Sequence, residues 1–117
     1  MNHSQGMKGE LLVITRAFEL VRELTRRTRK LPRDLKFVLG DRILSTGYDV
    51  LEILIDAKYS RAKKTLLLRA NLLLERLRFQ IRLCTEERFI SLKQYEYLAR
   101  LINETGSMIG GWQKQSN

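Results

Sequence analysis

Apolar residues recur along this chain every three or four positions, the spacing that gathers side chains on one side of a helix. Leu11, Ile14, Phe18, Val21 and Leu24 make the first such row. A second runs through Leu39, Ile43, Thr46, Val50, Ile53 and Ala57, and a third through Leu66, Ala70, Leu73, Leu77, Ile81 and Cys84. The fourth is Tyr95, Leu98, Ile102, Thr105, Ile109 and Trp112. Period-two alternation is not sustained anywhere, so strands are not expected. The punctuation agrees with four helices. Pro32 breaks a helix interior but suits a first turn, so it separates helices one and two. Ser91 followed by Gln94 reads as a capping box opening helix four. Tyr59-Ser60 ends the second apolar row, placing the next boundary around Lys58 to Ala62, with Ser60 available to cap helix three. Gly110-Gly111 weakens the last turn of helix four, and a polar tail follows. Helices of about 20 residues, about 30 Å long, with short connections between them predict an all-α fold. Its form is an up-down-up-down antiparallel four-helix bundle. One domain over residues 1–117 is expected, with residues 1–7 and 114–117 as flexible ends.

Helix three carries more apolar surface than one core needs. Placed at 100° intervals, Leu66, Leu67, Ala70, Leu73, Leu74, Leu77, Ile81 and Cys84 fill a core arc. Leu68, Leu72, Phe79 and Leu83 then form a second stripe on roughly the opposite side. Arg69 and Arg76 edge it on one flank, and Lys64, Arg78 and Arg82 on the other. A wide core is one reading of this stripe. An oligomer interface is the one adopted, because soluble monomers rarely expose such a patch. On helix two, Asp49, Glu52 and Asp56 share a face, where like charges repel. They are read as partners for arginines of a neighbouring helix or subunit, the alternatives being a Mg²⁺ site or a solvated face.

Charge changes the picture further. The 22 Lys+Arg against 13 Asp+Glu leave a formal net charge of +9, which draws the chain toward polyanions. Candidate phosphate-binding residues are Arg26, Arg27, Arg29, Lys30 and Arg33 around the first turn, with Arg61, Lys64, Arg78 and Arg82 further on. Such contacts give affinity without sequence preference. The basic surface is expected to run along the bundle. Arginine outnumbers lysine, which favours planar, bidentate contacts to phosphate. Aromatic residues are sparse among these groups, so base-specific readout is not expected.

The rare residues exclude much chemistry. A single cysteine, Cys84, rules out an intramolecular disulfide and thiolate zinc fingers. Cys84 falls on the core arc, where a small buried hydrophobe is the better reading. A single histidine, His3, leaves no internal imidazole for a triad. Glu86-Glu87 point in different directions, and Asp41-Arg42 pair without a nucleophile. No enzyme, cofactor or metal is expected. No run of about eighteen apolar residues exists to span a membrane, and a cytoplasmic protein is the expectation.

Three stretches resemble a known family. They are Leu31-Pro32-Arg33, the run Leu73-Leu74-Glu75-Arg76-Leu77-Arg78-Phe79-Gln80-Ile81-Arg82-Leu83, and the ending Ile102-Asn103-Glu104-Thr105-Gly106-Ser107-Met108-Ile109-Gly110-Gly111-Trp112. In their order and spacing they are similar to the Avd family, accessory variability determinants of diversity-generating retroelements. The related ribosomal-RNA intervening-sequence proteins share that fold, as interaction proteins of unknown role. The strong positive charge leans toward Avd. The resemblance implies a homopentamer assembled as a ring-like barrel that binds a reverse transcriptase and RNA, and possibly DNA. It implies a non-catalytic role in mutagenic copying of a template RNA into cDNA.

Overall fold

Long apolar-periodic segments, few helix breakers and strong terminal signals give four long helices and two short turns. The computed structural model describes residues 3–116, with side chains from Gly9 onward. Met1, Asn2 and Asn117 lie outside the described residues, and so do the side chains of the expected flexible segment at residues 1–7. Helix α1 is His3–Thr28, α2 is a single turn at Arg33–Leu35, and a π-helical turn at Lys36–Gly40 leads into α3, Asp41–Tyr59. Helices α4, Lys63–Glu86, and α5, Leu92–Gln115, complete the chain. The polar end of the sequence is therefore helical as far as Gln115. Among the described residues there is no strand, and no helix is long and apolar enough to cross a membrane.

The four long helices form a rod of about 48 × 23 × 18 Å. Helix α1 packs against α3 and α5, and α4 packs against the same two, so α1 and α4 occupy opposite corners. Along the axis they hold a continuous core that includes Leu20, Leu24, Ile43, Leu54, Leu67, Leu77, Leu98 and Ile109, none more than 1% exposed. Burying each such side chain contributes about 1.5–3 kcal/mol. Trp112 and Cys84 belong to this core, and burial pushes the Cys84 thiol up from its ordinary value, which suits an inert thiol.

The core arc expected on α4 is the arc observed: Leu67, Ala70, Leu73, Leu74, Leu77, Ile81 and Cys84 are buried and Leu66 is partly so. On α1 the phase differs from the expectation. The core row is Val13, Ala17, Leu20 and Leu24, while Leu11 and Phe18 are half-exposed and Ile14 and Val21 flank the core. Gly47 accounts for this phase: a Cβ on Gly47 of α3 would stand 2.7 Å from Leu24 Cδ1, so α1 packs closely on α3 where α3 lacks a side chain. On α3 a similar adjustment buries Leu54 and leaves Ile53 partly covered.

Three of the helix ends are closed by identifiable groups. Ser91 and Gln94 form the capping box, with Gln94 N–H donating to Ser91 Oγ at 3.1 Å and Ser91 N–H to Gln94 Oε1 at 2.9 Å. The end of α4 is a Schellman motif: Phe89 N–H donates to the Cys84 carbonyl at 2.8 Å and Arg88 N–H to the Thr85 carbonyl at 3.0 Å. Arg88 adopts φ 64° there, a left-handed conformation that favours glycine. At the α3–α4 turn, Ser60 Oγ accepts from Ala62 N–H instead of capping α4. Lys63 Nζ donates to the Ala57 and Lys58 carbonyls at 2.7 and 3.0 Å, closing the end of α3.

Two glycine exchanges of opposite sense test this geometry by urea denaturation. Gly47→Ala is expected to destabilise by about 1–3 kcal/mol through overpacking against Leu24. Arg88→Gly is expected to stabilise by about 1 kcal/mol by relieving the left-handed residue.

Candidate nucleic-acid and subunit interfaces

The basic candidates differ in what their charge already meets. Arg26 and Arg27 share Glu23, at 3.5 and 3.0 Å, and Glu23 is itself buried. Arg78 reaches Glu75 at 2.6 Å and donates twice to Asn103 of α5. Arg82 pairs with Glu86 at 3.0 Å across one turn. By contrast Arg29, Lys30, Arg33, Arg61 and Lys64 are exposed, and none has a carboxylate within 4.0 Å among the described residues. These five keep their full charge for a partner. The exposed pairs of Arg78 and Arg82 are worth little and remain open to competition from phosphate, whereas Arg27 and Glu23 are largely covered.

Position separates them further. Because α1 and α4 both run toward the same end of the bundle, Arg26, Arg29, Lys30 and Arg33 gather at that end on the α1 corner. Arg78 and Arg82 lie on the α4 corner, diagonally opposite. Arg61 and Lys64 sit at the other end, at the α3–α4 turn. The cations therefore reach both ends of the rod, with Lys64, Arg78 and Arg82 spaced along α4 between them and a separate group at the α1 end. Lys36, half-buried beside the first group, adds a further cation to the α1 end, where a concavity of about 250 Å³ is walled in part by Arg29 and Lys36.

The apolar stripe of α4 faces outward as its spacing requires. Leu68, Leu72, Phe79 and Leu83 are 49% to 65% exposed. A second exposed apolar strip lies along the α1/α3 side and includes Leu11 and Phe18 of the apolar row expected to face the core. Gly47 faces Val21 and Leu24. Phe18 and Leu11 follow Val21 down that side of α1, and Tyr48 and Ile55 follow Gly47 along α3. Ile14, Leu44 and Leu51 pack on the core between them. The signal in the sequence was a double apolar row on α1, of which only one could be buried.

Asp49, Glu52 and Asp56 are exposed on α3, and none closes an ion pair within 4.0 Å among the described residues. The Gln80–Thr46 hydrogen bond, 3.1 Å, fixes the register of α3 against α4. About one turn from it Asp49 comes level with Arg76, and about two turns further Asp56 comes level with Arg69. The acidic row thus borders the arginine edge of the α4 stripe. Among the described residues no three His, Cys, Asp or Glu come together to hold a metal ion.

Comparison of the sequence with known families places the chain. The bAvd-like family model matches residues 11–116, nearly the whole chain, and the chain belongs to that family. No curated protein is significantly similar to it.

The pairing pattern predicts unequal contributions to polyanion binding. Replacing Arg29, Lys30 and Arg33 with alanine should lower the slope of log K against log salt by about 2 to 3, read by fluorescence anisotropy with labelled RNA. Replacing Arg78 and Arg82, which hold intramolecular partners, should lower it less per residue.

Proposed function

We propose that this chain is the non-catalytic accessory subunit of a diversity-generating retroelement. In this reading it binds the reverse transcriptase and the template RNA, and it supports mutagenic synthesis of cDNA. The bAvd-like match across residues 11–116 carries the retroelement assignment. Supporting it independently are the net charge of +9 and the unpaired Arg29, Lys30 and Arg33 at one end of the rod. Arg61 and Lys64 supply the same at the other end. An RNA passing between the corners meets cations without needing a base-reading element.

The working form is a homo-oligomer. The stripe Leu68, Leu72, Phe79 and Leu83 of one copy seats against the α1/α3 strip of the next, around Phe18, Tyr48 and Ile55. These two surfaces are different and do not lie on opposite sides of the bundle, so head-to-tail pairing turns by a fixed angle at each step, and it forms a ring when that rotation closes. Five copies is the number implied by the Avd resemblance. Arg69 and Arg76 beside the stripe face the acidic row Asp49, Glu52 and Asp56 bordering the same seam, which sets register between copies. Ring closure also brings the positive charge of several copies together, strengthening the field that an RNA or an acidic polymerase surface meets.

The test is co-expression with the reverse transcriptase and template RNA of the same retroelement. Wild-type protein is expected to co-purify with both and to support cDNA synthesis. Leu72→Glu combined with Leu83→Glu should lower the sedimentation mass and abolish cDNA synthesis while leaving helicity by circular dichroism intact. Full activity from a monomeric variant contradicts the oligomeric reading, and cDNA made equally well without this chain contradicts the accessory role.

A further inference from the structure

Pro32 starts a new helix after Leu31 has been buried against the core, and the chain must then re-enter the bundle axis over a few residues. It does so through the π-helical turn Lys36–Gly40, in which Asp41 N–H reaches back to the Lys36 carbonyl. Gly40 tucks beneath Leu31 and Thr28, at 3.5 and 3.7 Å from where its Cβ would stand. Seating Gly40 leaves the start of the wide turn outside. Phe37 is 66% exposed and Val38 is 73% exposed, side by side at the end of the bundle and not along its lateral strips. π turns of this kind concentrate at functional positions.

The surroundings of Phe37 are cationic. Arg29 and Lys36 stand with it around one concavity of about 250 Å³, together with the hydroxyl-bearing Thr25 and Thr28. Lys30 and Arg33 lie on the same turn, and neither is engaged by a carboxylate within 4.0 Å. Asp41 is the one acidic residue lining the concavity. A flat apolar ring set among unpaired cations matches a nucleotide, whose base offers a π face and whose phosphate offers charge. It matches a double helix poorly, because base pairing and stacking hide those faces.

We propose that Phe37 is a stacking platform for an unpaired base, with Arg29, Lys30, Arg33 and Lys36 holding the adjoining phosphates. This site gives the protein a preference for single-stranded nucleic acid over duplex. The proposal rests on the nucleic-acid reading above and narrows it to unpaired segments. Val38 extends the apolar surface beside the ring, and the concavity below Phe37 admits a phosphate or ribose next to Arg29.

The test compares a short labelled oligouridine with an RNA duplex of the same strand length on the full chain. Phe37→Ala is expected to weaken oligouridine binding about ten- to hundredfold, with the salt slope, duplex affinity and oligomer mass unchanged. Phe37→Trp is expected to restore the affinity, because indole stacks at least as well. Since Phe37 is exposed, neither exchange disturbs the core. Three results overturn the stacking site while leaving the wider reading in place. They are oligouridine affinity unaffected by Phe37→Ala, an equal loss on duplex, and a change of oligomer mass. A wild-type protein that binds neither probe overturns both readings.

Discussion

One helix with two apolar sides governs this structure. Helix α4 buries Leu67, Leu74, Leu77 and Ile81 in the bundle and presents Leu68, Leu72, Phe79 and Leu83 to the outside. A four-helix bundle has one core, and a helix at its corner can give that core only one side. The outer row is therefore surplus to folding, and its burial requires another surface. The same holds for the half-exposed Leu11 and Phe18 on α1. The fold accounts for the inner rows, and association between copies is the role assigned to the outer ones.

That assignment must contend with charge. Copies each bearing a formal +9 repel at long range, so the apolar contact has to act at short range and the opposing charges beside it have to be placed well. The acidic row on α3, Asp49, Glu52 and Asp56, exposed along one face, is suited to this need. On the proposed function, a bound polyanion would relieve the same repulsion and so couple RNA binding to assembly by linkage. Oligomerisation and nucleic-acid binding would then be two parts of one electrostatic balance.

Most of the architecture was legible because the signals were local. Pro32, the Ser91–Gln94 capping box and the four apolar rows each have a short-range physical cause, and the observed helices begin and end close to them. The phase of α4 was legible because its two apolar rows are separated by charged residues on both flanks. That of α1 was not: Leu11-Ile14-Phe18 and Val13-Ala17-Leu20 are equally periodic. The choice between them is made by Gly47, a residue of another helix. The left-handed cap at Arg88 and the π turn at Lys36–Gly40 depend on where the chain must go next and carry no distinctive residue pattern. Among the basic candidates the total charge was legible, and the spacing of Glu23 to Arg26 and Arg27 on one helix is also local, but the burial of Glu23 depends on the surrounding helices. Phe37 escaped notice for a related reason. An isolated aromatic in a basic stretch has no periodicity, and its exposure follows from the π turn.

The measurement that bears most directly on this picture is the native mass of the purified wild-type chain at moderate salt, by native mass spectrometry. A closed homo-oligomer, expected at five times the 13.8 kDa chain mass, is the predicted result. A stable monomer of 13.8 kDa across the accessible concentration range would contradict it, leaving the outer face of α4 to a different partner.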